Sequence, residues 1–187
     1  MNEAWSPASE LSKYHSSEVR SLAWAISSAP LMKAHPGLGV IDSETCHRAY
    51  ESARNWLRSL NANPKPLIEH LKKTPSRKVG YHFEALLNFW LNWNPNYEFL
   101  ATNLQVHQGG RTLGAFDYIL RNKKGEVEHW EVAIKFYLQF SNDSKWSSWI
   151  GPGKRDRLDI KLDHMITHQI PLSNTEAGLA TLKKQGF

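Results

Sequence analysis

The chain has 187 residues, 41% hydrophobic and 22% charged, the composition of a globular rather than a disordered protein. Lysine and arginine exceed the acids by 23 − 18 = 5, a balance that permits contact with nucleic acid without demanding it. No apolar run approaches the roughly 18 residues that span a bilayer, no signal peptide opens the chain, and the single Cys46 excludes a disulfide framework and a cysteine-rich zinc site. The expectation is a cytoplasmic protein with no membrane partner.

The first 16 residues are polar and are expected to be mobile. From Ser17, the segment SEVRSLAWAISSAP places Val19, Leu22, Ala23 and Ile26 on one helical face, and Pro30 stops it. After the loop AHPGLGV, Asp42 or Ser43 caps a second helix, in which Cys46, Ala49, Ala53, Trp56, Leu57 and Leu60 recur at helical spacing. NANPKP breaks the chain, and PLIEHLKK adds two turns before Pro75. Residues 1–75 read as an N-terminal helical segment without a catalytic cluster.

Residues 76–187 change character, and the two segments are expected to form one compact unit. Ser76 is a cap for a long helix whose stripe is Val79, Phe83, Leu86, Leu87 and Trp90, ending near Asn94-Pro95. Three strand-like runs follow: YEFLATNLQVH, RTLGAFDYIL and VEHWEVAIKFYLQF. Gly109-Gly110 and Arg121–Gly125 separate them at hairpin length. A loop from Ser141 to Gly153 leads into KRDRLDIKLDHMITHQI, where Leu158, Leu162, Met165 and Ile166 mark an amphipathic helix. The fold class is α/β, of the mixed α+β kind: helices, then helix, three antiparallel strands, helix.

Strand alternation decides which side chains share a face. Asp117 lies opposite the Phe116, Tyr118 and Leu120 face of its strand. His129, Glu131, Ala133, Lys135 and Tyr137 lie opposite the Val132, Ile134, Phe136 and Leu138 stripe. Glu131 and Lys135 are out of place in a buried sheet, because such groups are almost never buried unpaired. One reading is a solvated face carrying a Glu–Lys pair. The other is a metal site: Asp117 and Glu131 on neighbouring strands hold a hard cation, magnesium or manganese, and Lys135 polarises a water or stabilises developing phosphorane charge.

This arrangement resembles the PD-(D/E)XK nuclease superfamily, whose core carries an acid on the second strand and acid-x-lysine on the third. The resemblance implies Asp117, Glu131 and Lys135 as catalytic residues, and Glu84, Asp117 and Glu131 as metal ligands, with Glu84 (in YHFEAL) as the helix glutamate. The position two before the lysine is Ala133, and the nearest acid, Glu131, lies about 13 Å from Lys135 along an ideal strand rather than half that. More closely, GYHFEALLNFWL, ATNLQVHQGGRTLGAFDYIL, HWEVAIKFYLQF and WIGPGKRDRLDIKL are similar to one bacterial family, domain of unknown function 1853. That resemblance implies the nuclease-like core, with Glu131-Val-Ala-Ile-Lys135 as its third-strand motif. It also implies a chain that stops short of a fourth core strand, so the segment after Pro171 is expected to be poorly packed.

The function implied is metal-dependent, nuclease-like action on nucleic-acid phosphodiesters; the alternative is a catalytically degenerate module of the same fold that binds nucleic acid or protein. Arg111, Lys154, Arg155 and Arg157 are the candidate phosphate contacts, each equally readable as a solvated cation. The basic run of Lys65, Lys72, Lys73, Arg77 and Lys78 has the same two readings. Gly151–Arg157 lacks the spacing of a nucleotide P-loop, and no serine stands in a GxSxG setting. His164 and His168 have a ligand spacing but no third partner in the sequence nearby. Trp146 and Trp149 either stack on bases or pack their loop down.

Overall fold

A computed structural model describes residues 7–30, 32, 39–76 and 78–187. Met1–Ser6, most of the AHPGLGV loop and Arg77 lie outside the described residues. The chain divides into two compact units, Met1–Asn94 and Pro95–Phe187. It is a mixed α+β protein, as its patterning predicts.

The first unit is helical: α1 (Pro7–Leu11), α2 (Ser17–Ser27), α3 (Ser43–Ala62), α4 (Lys65–Lys72) and α5 (Val79–Trp93). The Ser16 hydroxyl accepts from Val19 N at the start of α2, and the Asp42 carboxylate accepts from Thr45 N at 2.7 Å to cap α3. The periodic residues Val19, Leu22, Ala23 and Ile26 face inward, as do Cys46, Ala53, Leu57 and Leu60. Trp56 stacks on Trp93 with ring centres 4.2 Å apart. Two expectations need correction. The expectation of a mobile start fails over the described residues 7–16: α1 forms, and Tyr14 is buried with its hydroxyl 3.1 Å from that of Tyr50, which donates to Glu10. Ser76 does not cap α5 at its first turn. It accepts from Lys78 N at 3.3 Å, the helix begins at Val79, and Val79 is exposed while Leu91 completes the buried stripe.

The second unit is built on an antiparallel sheet of order β1 (Tyr97–Gln108), β2 (Arg111–Asn122), β3 (Val127–Trp130). The β1–β2 turn needs left-handed backbone at both central residues, and Gly109 and Gly110 sit at φ +57° and +76°. The β2–β3 turn is tied by the Asn122 side-chain oxygen, which accepts from Lys124 N and Glu126 N. The predicted third strand is interrupted. Ladder pairing ends at Trp130, residues 131–137 run outside any ladder, and β4 (Leu138–Gln139) pairs instead with β5 (Trp149–Ile150).

The predicted C-terminal helix begins at Leu158 rather than among the basic residues. It runs as α6 (Leu158–His164), widens to a π-turn over Met165–Gln169 and tightens to a 3₁₀ turn over Ile170–Asn174. In a regular helix the Pro171 ring would strike the Thr167 carbonyl, which is a local cause for the change of pitch. α7 (Glu176–Lys184) follows. The expectation of a poorly packed end is wrong. Leu172 and Ala177 join Val106, Phe116 and Ile119 in the buried core, with Leu182 and Phe187 packed against it. Apolar residues on both the 3₁₀ turn and α7 bury against the sheet.

Candidate functional site

The pairing Tyr118↔Trp130 sets the register, and one further step places Asp117 across from Glu131. The ladder opens at that step. Val132 N donates to Asp117 Oδ2 at 3.0 Å, and Asp117 N lies 3.5 Å from Glu131 Oε1. Each carboxylate thus receives an amide of the other's strand, replacing a carbonyl partner at a position where a lost buried bond costs about 1–3 kcal/mol. This exchange ends the strand early and sets each carboxylate against the backbone of the other segment.

Glu131 is held hard. Its side chain is 2% exposed and that of His129 is 7%. His129 Nε2 lies 2.7 Å from Glu131 Oε1, and Gln169 Nε2 donates to Oε2 at 2.5 Å. With the carboxylate ionised, the imidazole nitrogen facing it carries the proton. The His129 ring meets Phe116 edge-on at 4.7 Å, which fixes its plane. Gln169 in turn accepts at Oε1 from Lys161 Nζ at 2.7 Å, with His164 Nδ1 at 3.4 Å. The buried charge is therefore met by hydrogen-bond donors on both oxygens, the condition under which a buried carboxylate is tolerated. Gln169 and Lys161 were not singled out by the sequence pattern. They carry no motif; Lys161 lies on α6 and Gln169 ends the π-turn that follows it.

Lys135 is engaged elsewhere. Its ammonium donates to Asp156 Oδ2 at 2.5 Å, and the Tyr137 hydroxyl donates to Asp156 Oδ1 at 3.2 Å. Burial first, and the Asp156 charge second, push the Tyr137 hydroxyl up to about 12. Glu84 lies on α5 in the first unit, where burial holds its carboxyl above the usual range.

Of the basic residues, Arg111 opens β2 and is exposed, as are Lys154 and Arg155, and none of the three has an ion pair among the described residues. Arg157 grips Asp159 through Nε at 2.9 Å and its terminal nitrogen at 2.5 Å, which holds the Asp159 carboxyl below its usual range. Its cation is largely neutralised on the spot. His164 and His168 stack 5.0 Å apart. Trp146 is 45% exposed.

Among the described residues no group of three or more His, Cys, Asp or Glu forms a ready metal cage, and no helix is long and apolar enough to cross a membrane. Asp117 and Glu131 supply carboxylate oxygens, the donor type that hard divalent cations take, from positions one step beyond the Tyr118↔Trp130 pair. A carboxylate has about four lone-pair positions, so the N–H donors now on Glu131 leave room for a cation beside them. No curated protein and no solved structure matches the chain. The sequence model of one family, described as Domain of unknown function (DUF1853), matches residues 20–187, and the chain belongs to that family.

Proposed function

We propose that the second unit is a nuclease-like core, of the PD-(D/E)XK kind, that acts on nucleic-acid phosphodiesters with a divalent cation, magnesium or manganese. The observation that carries this reading is the meeting of Asp117 and Glu131 where the β2–β3 ladder opens. A bound cation supplies Lewis acidity and lowers the pKa of a water. Asp117 and Glu131 offer it oxygens, and the donors on Glu131 fix that carboxylate in place. Arg111, Lys154 and Arg155 are the cations available to phosphate oxygens, where they add affinity without reading sequence.

A second reading rests on Lys135. Its bond to Asp156, together with Ala133 at the usual acidic position, favours a degenerate core that grips nucleic acid without cutting it. Incubation of labelled DNA and RNA with Mg²⁺ or Mn²⁺ separates the two. Cleavage by the wild type that is lost in Asp117→Asn supports the enzyme. Binding without cleavage in either protein supports the module, and neither binding nor cleavage refutes both.

A further inference from the structure

The Gln169 amide sits between two groups of fixed and opposite hydrogen-bonding character. Lys161 has only donors and an ionised Glu131 only acceptors. One orientation of the amide satisfies both, with Oε1 toward Lys161 and Nε2 toward Glu131, at 2.7 and 2.5 Å. Reversing it would set an oxygen against a carboxylate and an NH₂ against an ammonium. The orientation is thus dictated by its neighbours rather than by the amide itself.

The backbone is shaped to make this contact. In a uniform α-helix the eight steps from Lys161 to Gln169, at about 100° each, would leave the two side chains about 80° apart around the axis. The wider i→i+5 turn at Met165–Gln169 takes up much of that offset. Such π-turns are rare and cluster at functional sites. Pro171 supplies a local reason for this one.

We propose that Gln169 and Lys161 are positioning residues for Glu131: Lys161 fixes the face of the Gln169 amide, and that amide fixes the carboxylate as a ligand for a divalent cation. The last clause rests on the function proposed above. The first does not. Outer groups of this type change metal affinity about 10–100-fold when removed. Because Lys161 acts through Gln169, its loss matters only while Gln169 is present.

Two measurements on the full chain test this. The first is the side-chain amide signal of Gln169 in ¹⁵N NMR without metal. In the wild type it should be displaced from the exposed-glutamine position and slow to exchange, and it should move toward that position in Glu131→Gln and in Lys161→Met. Lys161→Arg should restore it, since the guanidinium is also donor-only. A wild-type signal at the exposed position, or one indifferent to both substitutions, overturns the relay. The second is calorimetric titration with Mn²⁺. Lys161→Met should weaken binding about tenfold, Gln169→Leu about 10–100-fold, and the double variant no more than Gln169→Leu alone. Equal affinities in wild type and Lys161→Met overturn the positioning role. No Mn²⁺ binding by a wild type that passes the NMR test refutes the metal reading and leaves the relay standing. Circular dichroism of each variant separates these outcomes from misfolding.

Discussion

Gly178 lies in the first turn of α7, where replacement by alanine would ordinarily strengthen a helix by about 1 kcal/mol. The packing predicts the opposite. A Cβ built there falls 1.9 Å from the Leu172 carbonyl oxygen, whereas such atoms essentially never approach within 3.0 Å, so the carbonyl would have to retreat by at least 3.0 − 1.9 = 1.1 Å. That oxygen already accepts from Thr175 N at 3.2 Å and from the Thr175 hydroxyl at 2.8 Å. The same hydroxyl caps α7 by accepting from Gly178 N at 3.0 Å. The strain therefore spreads into the cap, worth about 1 kcal/mol, on top of about 1–3 kcal/mol for overpacking. Subtracting the propensity gain leaves a net loss of about 1–3 kcal/mol, or roughly 2–12 °C in Tm. Gly80, on α5, has nothing within 4 Å of its added Cβ and is the control. Gly80→Ala should raise Tm slightly, while Gly178→Ala lowers it. Thermal unfolding followed by circular dichroism measures both, and a Gly178→Ala protein as stable as the wild type would refute the packing account.

Glu84→Gln should stabilise the protein at pH 7 but not at pH 3. Burial raises the Glu84 carboxyl above its ordinary 4.5, so ionising it costs the fold, and that cost appears as pH rises from there. Urea unfolding at the two pH values checks this, and an equal difference at both contradicts it. In anisotropy titrations with a labelled oligonucleotide, Lys154→Glu and Arg155→Glu should each flatten the salt dependence by about one unit. Arg157→Glu should do so less, because Asp159 already neutralises that cation; an unchanged slope in the first two removes this surface from the interface. Leu57→Ala, at a fully buried position of α3, should cost about 2–5 kcal/mol in the same unfolding assay.

Local chemistry made much of the fold legible. Gly109-Gly110 announces its hairpin because only glycine takes two left-handed positions without strain. Asp42 caps α3, and the apolar periods of α2 and α3 name their buried faces. The closeness of Asp117 and Glu131 also follows from counting outward from the second hairpin. The end of the third strand was hidden because the apolar alternation runs on past Trp130 to Phe140. Nothing in that pattern reveals that Asp117 takes the amide a ladder partner would have taken. Lys135 meets Asp156, 21 residues away, and Gln169 meets Glu131 across 38, contacts fixed by tertiary packing rather than by spacing. The packed C-terminus was missed for a related reason. Leu172 and Ala177 are too few to form a stripe, yet both bury with Val106, Phe116 and Ile119, and Leu172 closes on Gly114 of β2.

The central claim is that Asp117 and Glu131 form a cation site, and calorimetric titration of Mg²⁺ and Mn²⁺ into the wild type and Asp117→Asn tests it most directly. Asparagine keeps an oxygen for Val132 N, so the variant should fold with unchanged or slightly higher stability while losing one of two facing charges. The account predicts binding by the wild type and none by Asp117→Asn. Absence of binding to the wild type at millimolar metal, or equal binding by both proteins, would contradict it.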